Sequence, residues 1–204
     1  MQFSFEQDGD HYIVIEPNSD EGIAFVEIDP EKKEITGYNP VHRIYQGYGK
    51  EAGFSGHFVI QLNEEIADYG VWDSTTITSG RKSAKGQKHA VGAWIKLASD
   101  KPGKTLVKVA TSFTSIDNAR KNLASEIPEW DFNEVRQASS DTWNQALGQI
   151  AVKGNNEKEM VKFYSALYNA HFLPRTFSDV DGSYPRFDGD GPVSYTHLRA
   201  HETL

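Results

Sequence analysis

The spacing of apolar residues changes near Ser115, and this change constrains the fold more than any other feature of the sequence. Before it, apolar residues alternate with polar ones or gather in short β-branched and aromatic runs, such as IAFVEI at residues 23–28. Such segments are typical of β-strands. After it, Ile116, Ala119 and Leu123 recur at intervals of three and four, the spacing of one helical face. The sequence therefore predicts strands first and helices afterwards.

The first part of the chain predicts an antiparallel β-sandwich. Strands joined by short turns, with almost no helical periodicity between them, favour two packed sheets. The expected strands lie at residues 3–5, 11–16, 23–28, 33–38, 54–62, 91–97 and 105–113. Residues 79–88 (SGRKSAKGQK) are polar and basic, and they predict a solvated loop.

Three helices are predicted after the change of period. They cover residues 116–126, 132–150 and 156–173, with Ser115 and Asp131 as N-caps of the first two. Aromatic residues spread widely around the third helix, so we expect it to be buried on more than one side. The tryptophans are expected to fill cores; they are Trp72, Trp94, Trp130 and Trp143.

Composition excludes several classes of protein. Twenty-one basic and 29 acidic residues give a net charge of −8, which argues against nucleic-acid binding. No apolar run approaches the roughly 20 residues of a membrane span. Cysteine is absent, so disulfides and thiolate sites are excluded, and the N-terminal residues MQFSFEQDGD do not predict a signal peptide.

The third helix leads into a loop that contains the acidic pair Asp179 and Asp181. In an extended backbone, residues two apart face the same side, so both carboxylates could accept hydrogen bonds from one ligand. Sugar hydroxyls and calcium are both suitable partners. Gly182 directly follows the second Asp, which excludes an EF-hand loop. A plain acidic turn is the structural alternative, because Asp and Gly are common turn residues.

Two stretches of the sequence resemble one enzyme family. FYSALYNAHFLPRTFSDVDGSY (residues 163–184) and VATSFTSIDNARKNLASEIPEWDFNEVRQASSDTWNQALGQIAVKG (residues 109–154) are similar to signatures of the glycoside hydrolase family 92 exo-acting α-mannosidases. The resemblance implies a partial β-sandwich followed by helices that begin an (α/α)6 barrel. It also implies an inverting, calcium-dependent hydrolase that removes terminal α-linked mannose from glycans and is periplasmic or secreted.

The resemblance also suggests residues for the sugar site. Asp179 and Asp181 match the family's mannose-binding loop, and which of the two faces the sugar stays open. Arg175 either pairs with one of these carboxylates or contacts substrate. Tyr184 could stack on a sugar face. The family's general acid, base and calcium ligands lie in the barrel beyond the end of this sequence, so this chain is expected to contain no catalytic or metal-binding residues and to be inactive alone.

The resemblance divides the chain into four parts. Residues 1–114 are expected to form the partial sandwich, 115–153 a helical linker and 154–191 the start of the catalytic barrel. Residues 192–204 (PVSYTHLRAHETL) resemble translated sequencing adapter and are expected to be non-native, packing against nothing. His197 and His201 are four apart, but without the Glu of an HExxH motif they do not predict a metal site.

Two other classes of function are compatible with the same pattern. A non-catalytic carbohydrate-binding β-sandwich would account for the strands, since this fold hosts many binding modules. A structural interaction domain is the third hypothesis. The helix leading into the DVDG loop favours the hydrolase, because a binding module has no need of a domain junction.

Overall fold

The computed structural model describes residues 1–17, 22–44, 48–87, 90–154, 156–172, 176–186 and 192–194. Its helices are α1 (Ile116–Glu126), α2 (Phe132–Leu147) and α3 (Glu157–Ala170). Its strands are β1 (Gln2–Phe5), β2 (Tyr12–Ile15), β3 (Ile23–Asp29), β4 (Glu34–Ile44), β5 (Tyr48–Leu62), β6 (Ile66–Asp73), β7 (Thr76–Ser79), β8 (Ser83–Gln87), β9 (Val91–Leu97), β10 (Gly103–Ser112), β11 (Ser183–Pro185) and β12 (Pro192–Ser194).

Two antiparallel sheets form the body of the chain. One has six strands in the order β1-β10-β5-β4-β3-β8, and the other has four in the order β2-β9-β6-β7. Alternating strand residues point between the sheets, where Val26, Ile35, Val71 and Ile95 are fully buried in one core cluster. This arrangement, followed by three helices, confirms the predicted fold class of a β-rich N-terminal part leading into α-helices.

The core is aliphatic, and the expectation that tryptophans fill cores is wrong. Trp130 is 38% exposed, and the other three are half-buried. Trp72 and Trp94 lie on the outer face of the four-stranded sheet, opposite Gly92 and Gly70 respectively. A Cβ at Gly92 would lie 1.9 Å from the Trp72 ring, so each glycine makes room for an indole lying on the sheet.

A further sequence expectation is wrong at residues 79–88. β8 lies in this segment and pairs with β3, which places it at the edge of the six-stranded sheet. Ala84 points inward and is buried, while the lysine next to it stays exposed. The segment is polar because an edge strand needs only one small residue facing the core, and charged residues discourage further pairing.

Helix α1 docks on the outer face of the six-stranded sheet. Ala119 and Leu123 pack on Val59 of β5 in a small apolar cluster. Beside it, the buried Glu34 carboxylate accepts hydrogen bonds from the Arg120 guanidinium at 2.8 and 2.9 Å. At the other end, the Lys108 ammonium donates to the main-chain carbonyls of residues 127 and 128 at 2.8 and 2.7 Å, which holds the chain against β10 directly after the helix.

The chain divides into two compact units. One comprises Met1–Trp130 with the described residues from Phe177 onward, and the other comprises Asp131–Thr176. In the second unit, Asp131 caps α2 by accepting from the Glu134 N–H at 2.9 Å, as predicted. No residue of α2 or α3, all of which the structure describes, is buried, so the expectation that the third helix is buried on more than one side is wrong.

The end of the described chain forms a short hairpin. Ser183–Pro185 of β11 pairs antiparallel with Pro192–Ser194 of β12. The expectation that residues from Pro192 onward pack against nothing is therefore wrong for these three residues. Strand pairing uses backbone groups and does not require a matched side-chain surface. Residues 195–204, with His197 and His201, lie outside the described residues.

Candidate functional site

An aromatic contact holds the start of the acidic loop against the sandwich. The Phe177 ring lies 5.2 Å from that of Phe113, which lies 5.6 Å from Phe54 on β5. Offset and edge-to-face contacts of this kind stabilise by more than the apolar area they bury. These contacts therefore fix Phe177, at the start of the loop, against the end of the six-stranded sheet.

Asp179 turns inward and is only 7% exposed. Its Oδ2 accepts hydrogen bonds from the hydroxyls of Ser112 and Thr114 and, at 3.1 Å, from the Asn118 side-chain amide. Its Oδ1 accepts from the Asn122 amide at 2.7 Å. A buried carboxylate is tolerated when protein donors replace its water, and here four side chains do so.

Helix α1 supplies two of these donors through its spacing. Asn118 and Asn122 are four residues apart, so their amides project from the same face of the helix, and both are buried. Ser115 starts the helix by accepting from the Asn118 N–H at 3.0 Å. The helix therefore begins immediately after β10 and presents the two amides next to the hydroxyls at the strand end.

The loop closes into a tight turn around Asp179. The Gly182 N–H donates to the Asp179 carbonyl at 2.9 Å, and the Asp179 N–H donates to the Ser183 carbonyl at 2.7 Å. Gly182 has φ +81°, a value that side-chain-bearing residues rarely adopt. The Val180 N–H donates to the Asn122 amide oxygen at 3.0 Å, which fixes the turn to α1.

Asp181 lies at the surface of the turn and pairs with Lys121 of α1. Its Oδ2 is 2.9 Å from the Lys121 ammonium, and its Oδ1 accepts from the Ser183 N–H at 3.0 Å. The Lys121 hydrogen bond, followed by the Ser183 N–H, lowers the pKa of Asp181 to about 2. Both acidic side chains thus reach the same helix, but they do so across a turn and not along the extended backbone that the sequence suggested.

His57 lies behind the loop, on the sheet. It is opposite Ser112 in the β5–β10 register, and its ring lies 5.8 Å from that of Tyr38. Its Nδ1 is buried and has no hydrogen-bond partner among the described residues. Loss of solvation lowers the pKa of His57, and the negative charge of nearby Asp179 partly offsets this effect.

The structure brings together some of the predicted site residues. Asp179, Asp181 and Tyr184 lie within one short segment, and Tyr184 is half-buried in β11. Arg175 lies outside the described residues. Sequence reasoning missed the partners of this segment, namely Ser112, Thr114, Asn118, Lys121 and Asn122, and it missed the nearby His57. Two asparagines one turn apart on an otherwise apolar helical face were the available signal, because buried amides require polar partners.

The described residues do not fit a calcium ion. Calcium needs about six to eight oxygen ligands, whereas no group of three or more His, Cys, Asp or Glu side chains that could hold a metal ion occurs within the described ranges. The oxygens of Asp179 face N–H and O–H donors, which would repel a cation in the same place.

Within the described ranges, no helix combines the length and apolar character needed to cross a bilayer.

Comparison with known families assigns the chain. The family model described as the glycosyl hydrolase family 92 N-terminal domain matches residues 1–112, and the model described as the family 92 catalytic domain matches residues 118–203. These matches cover the sandwich and the helices in order. The chain belongs to glycosyl hydrolase family 92.

Solved structures of this family share the fold. A family 92 inverting mannosidase from Bacteroides thetaiotaomicron superimposes with a TM-score of 0.78 at 21% identity, covering 91% of this chain and 25% of its own. A family 92 α-mannosidase from the same organism gives 0.77 at 21% identity, covering 95% and 26%. An "Uncharacterized secreted glycosidase" of Arthroderma benhamiae is 31% identical over 99 residues, 47% of this chain and 12% of that protein. The chain thus spans only a small part of these relatives.

Proposed function

We propose that this chain is part of an inverting α-mannosidase that removes terminal α-linked mannose from glycans. The observation that carries the proposal is the pair of family 92 matches, one to the N-terminal and one to the catalytic domain, in the order of the chain. The mannosidases named among the similar structures support mannose as the sugar. A non-catalytic binding module would not be expected to match a catalytic domain.

The turn from Asp179 to Tyr184 is the part of this chain that we assign to sugar binding. Asp181 is the better candidate for direct contact, because its side chain is 33% exposed and its oxygens retain lone pairs for hydroxyl donors. The adjacent Lys121 can donate to a hydroxyl while Asp181 accepts from its neighbour. Tyr184 and Arg175 complete the proposed set, and the role proposed for Tyr184 is to stack on the pyranose ring.

The chemistry of bond cleavage is proposed to come from outside this chain. An inverting hydrolase needs a general acid at the glycosidic oxygen and a general base that activates water on the opposite face. The described carboxylates of this segment accept hydrogen bonds from protein donors, which supports a role in binding or orientation over a role in proton transfer. We also propose that the calcium ion implied by the family resemblance binds to other parts of the whole protein.

We also infer the setting of the whole protein. Its substrate is a mannose-containing glycan, and similarity to the secreted glycosidase of Arthroderma benhamiae supports a secreted or periplasmic protein. The division into sandwich (1–114), linker (115–153) and barrel start (154–191) is retained as part of the proposal, as is a non-native origin for residues 192–204.

Release of mannose from a synthetic aryl α-mannoside tests the proposal. The 204-residue chain alone should release none above a no-protein control, whereas the full-length protein should release mannose as the β-anomer, detectable by proton NMR at early times. Activity of the chain alone would contradict the inactive-fragment prediction. A full-length protein that is inactive on α-mannosides but active on another glycoside would overturn the substrate.

A further inference from the structure

We infer that Asn122 and Asp179 are positioning residues, which hold the turn so that Asp181 and Lys121 face the sugar in a fixed geometry. The inference rests on the proposed function for its sugar ligand, and it adds residues that act without touching the ligand. It separates the roles of the two acidic residues, which the sequence left open.

Asp179 is unsuited to direct sugar contact because its carboxylate is buried and already accepts hydrogen bonds from four protein side chains. Both oxygens accept from side chains of β10, α1 and the segment between them, and the residue is buried. A sugar hydroxyl that bound these oxygens would compete with protein donors, and any donor that it displaced would be buried without a partner. The side chain therefore ties the loop to the end of β10 and to α1.

Asn122 connects three separate backbone segments through one amide. Its Nδ2 donates to the Thr111 carbonyl at 2.9 Å and to Asp179 at 2.7 Å, while its Oδ1 accepts from the Val180 N–H at 3.0 Å. The end of β10, the helix and the turn are thus held at one point. No other residue type of this size offers two donors and an acceptor in one plane.

This connection determines where Asp181 lies. Val180, whose N–H is held by Asn122, immediately precedes Asp181, and Lys121, which pairs with Asp181, immediately precedes Asn122. Lys121 and Asp181 are the donor and the acceptor that we propose for adjacent sugar hydroxyls. Each of them is therefore next in sequence to one end of the hydrogen bond between Asn122 and Val180. A small displacement of such a pair lowers reaction rates substantially, because binding geometry must match the transition state.

Kinetics of the full-length protein on an aryl α-mannoside test the inference through a double-mutant cycle. We expect Asn122→Ala to lower kcat/KM at least tenfold when Asp181 is present and less than twofold in an Asp181→Ala background. Such non-additivity is the signature of one residue acting through another. Effects that multiply independently in the two backgrounds, or no effect in either, would overturn it.

Two further variants separate positioning from general loss of stability. Leu123→Ala removes a buried side chain from the same helix without touching the turn, and at a temperature well below unfolding it should leave kcat/KM within twofold. Equal losses in Leu123→Ala and Asn122→Ala would contradict the inference. Asp179→Asn, which keeps the shape and one acceptor, should retain more activity than Asp179→Ala.

Amide hydrogen exchange makes the inference testable apart from the proposed function. In the full-length protein, Asn122→Ala should accelerate exchange of the Val180 and Gly182 amides at least tenfold, with little change across β9. If wild type shows this protection but hydrolyses no α-mannoside, the proposed function fails while the structural role stands. If exchange at the turn is unchanged, the positioning role is wrong whatever the activity. Should Asn122→Ala fail to fold, Asp179→Ala provides the same readout, because it removes the other side-chain contact between the turn and Asn122.

Discussion

The β-rich unit (Met1–Trp130 with the described residues from Phe177 onward) buries many of its apolar residues, whereas the helical unit (Asp131–Thr176) leaves them partly or fully exposed. In the first, Val26, Ile35 and Ile95 are 0% exposed between two sheets. In the second, Val161 is 58% exposed, and no residue of α2 or α3 is buried. The strands therefore enclose a core by themselves, whereas two helices alone expose most of their apolar faces.

The same difference appears in how aromatic residues are used. In the helical unit, the Trp143 ring lies 4.4 Å from that of Tyr168 and 6.2 Å from that of Phe172, and all three remain partly exposed. N-caps at Asp131 and Asn156 stabilise the helix starts locally. The helical unit is therefore stabilised by local caps and one aromatic cluster, whereas the sandwich is stabilised by packing between residues far apart in the sequence.

The largest predicted difference in stability comes from truncating apolar residues in the two units. Ile95→Ala should lower the free energy of unfolding of the β-rich unit by about 3–4 kcal/mol, because it removes buried methylenes and leaves a cavity. The corresponding change Val161→Ala in α3 should alter the free energy of unfolding of the helical unit by less than about 0.5 kcal/mol. Urea unfolding followed by tryptophan fluorescence measures both. Comparable losses would show that α3 is packed as firmly as the sandwich.

Ion pairs should differ in the same direction but by less. Arg120→Met should lower the free energy of unfolding by about 2 kcal/mol, because Glu34 is 3% exposed and, among the described residues, would keep only the Gln61 amide as a side-chain partner. Lys162→Met, which breaks the exposed Lys162–Glu159 pair of α3, should cost less than about 0.5 kcal/mol. Replacing Glu34 and Arg120 together by apolar residues should recover part of the loss, and no recovery would argue against a buried-charge penalty.

Much of the fold was predictable because local patterns determine it. The α1 bounds, the caps at Ser115 and Asp131, and β9 were all identified from spacing and residue type. The β8 strand was missed because a polar edge strand lacks the alternation that identifies a strand. The prediction was wrong for Trp72 and Trp94 because each indole lies against a glycine of the neighbouring strand, and only the strand register shows this pairing.

The candidate site was predictable only in part, for a related reason. The D-V-D-G sequence indicated an acidic turn and the resemblance indicated a sugar site, but the partners of Asp179 are 57 to 67 residues away. Local spacing can show that Asn118 and Asn122 share a face, yet many acidic residues could have met them. Long-range polar contacts depend on the whole fold, so their pairing could not be assigned from the sequence.

A smaller effect concerns the pH dependence of the β-rich unit. Burial lowers the pKa of His57 below 6.5, so below that pH the unfolded chain binds the proton more readily than the folded one. Stability should therefore fall as pH drops through 6.5 toward the folded pKa, and His57→Gln should remove this component. Asp179→Asn should lower the pKa of His57 further, because the carboxylate favours the imidazolium. Proton NMR titration measures the shift, and an unchanged or raised pKa in Asp179→Asn would contradict the account.

The smallest effect is expected at the exposed pair on the turn. Because the Lys121 hydrogen bond is the main cause of the lowered pKa of Asp181, about 2, Lys121→Met should raise that pKa toward 3.8. The pKa of Asp181 in this variant should stay somewhat below 3.8, since the hydrogen bond from the Ser183 N–H remains. A depressed carboxyl pKa stabilises the folded state above pH 3.8, and this contribution is lost as pH falls toward 2. In wild type, the carboxyl carbon of Asp181 should titrate near pH 2 by carbon NMR, while Lys162→Met, in the other unit, should leave that midpoint unchanged. A midpoint near 3.8 in wild type would mean that the turn does not hold Asp181 against α1 in solution.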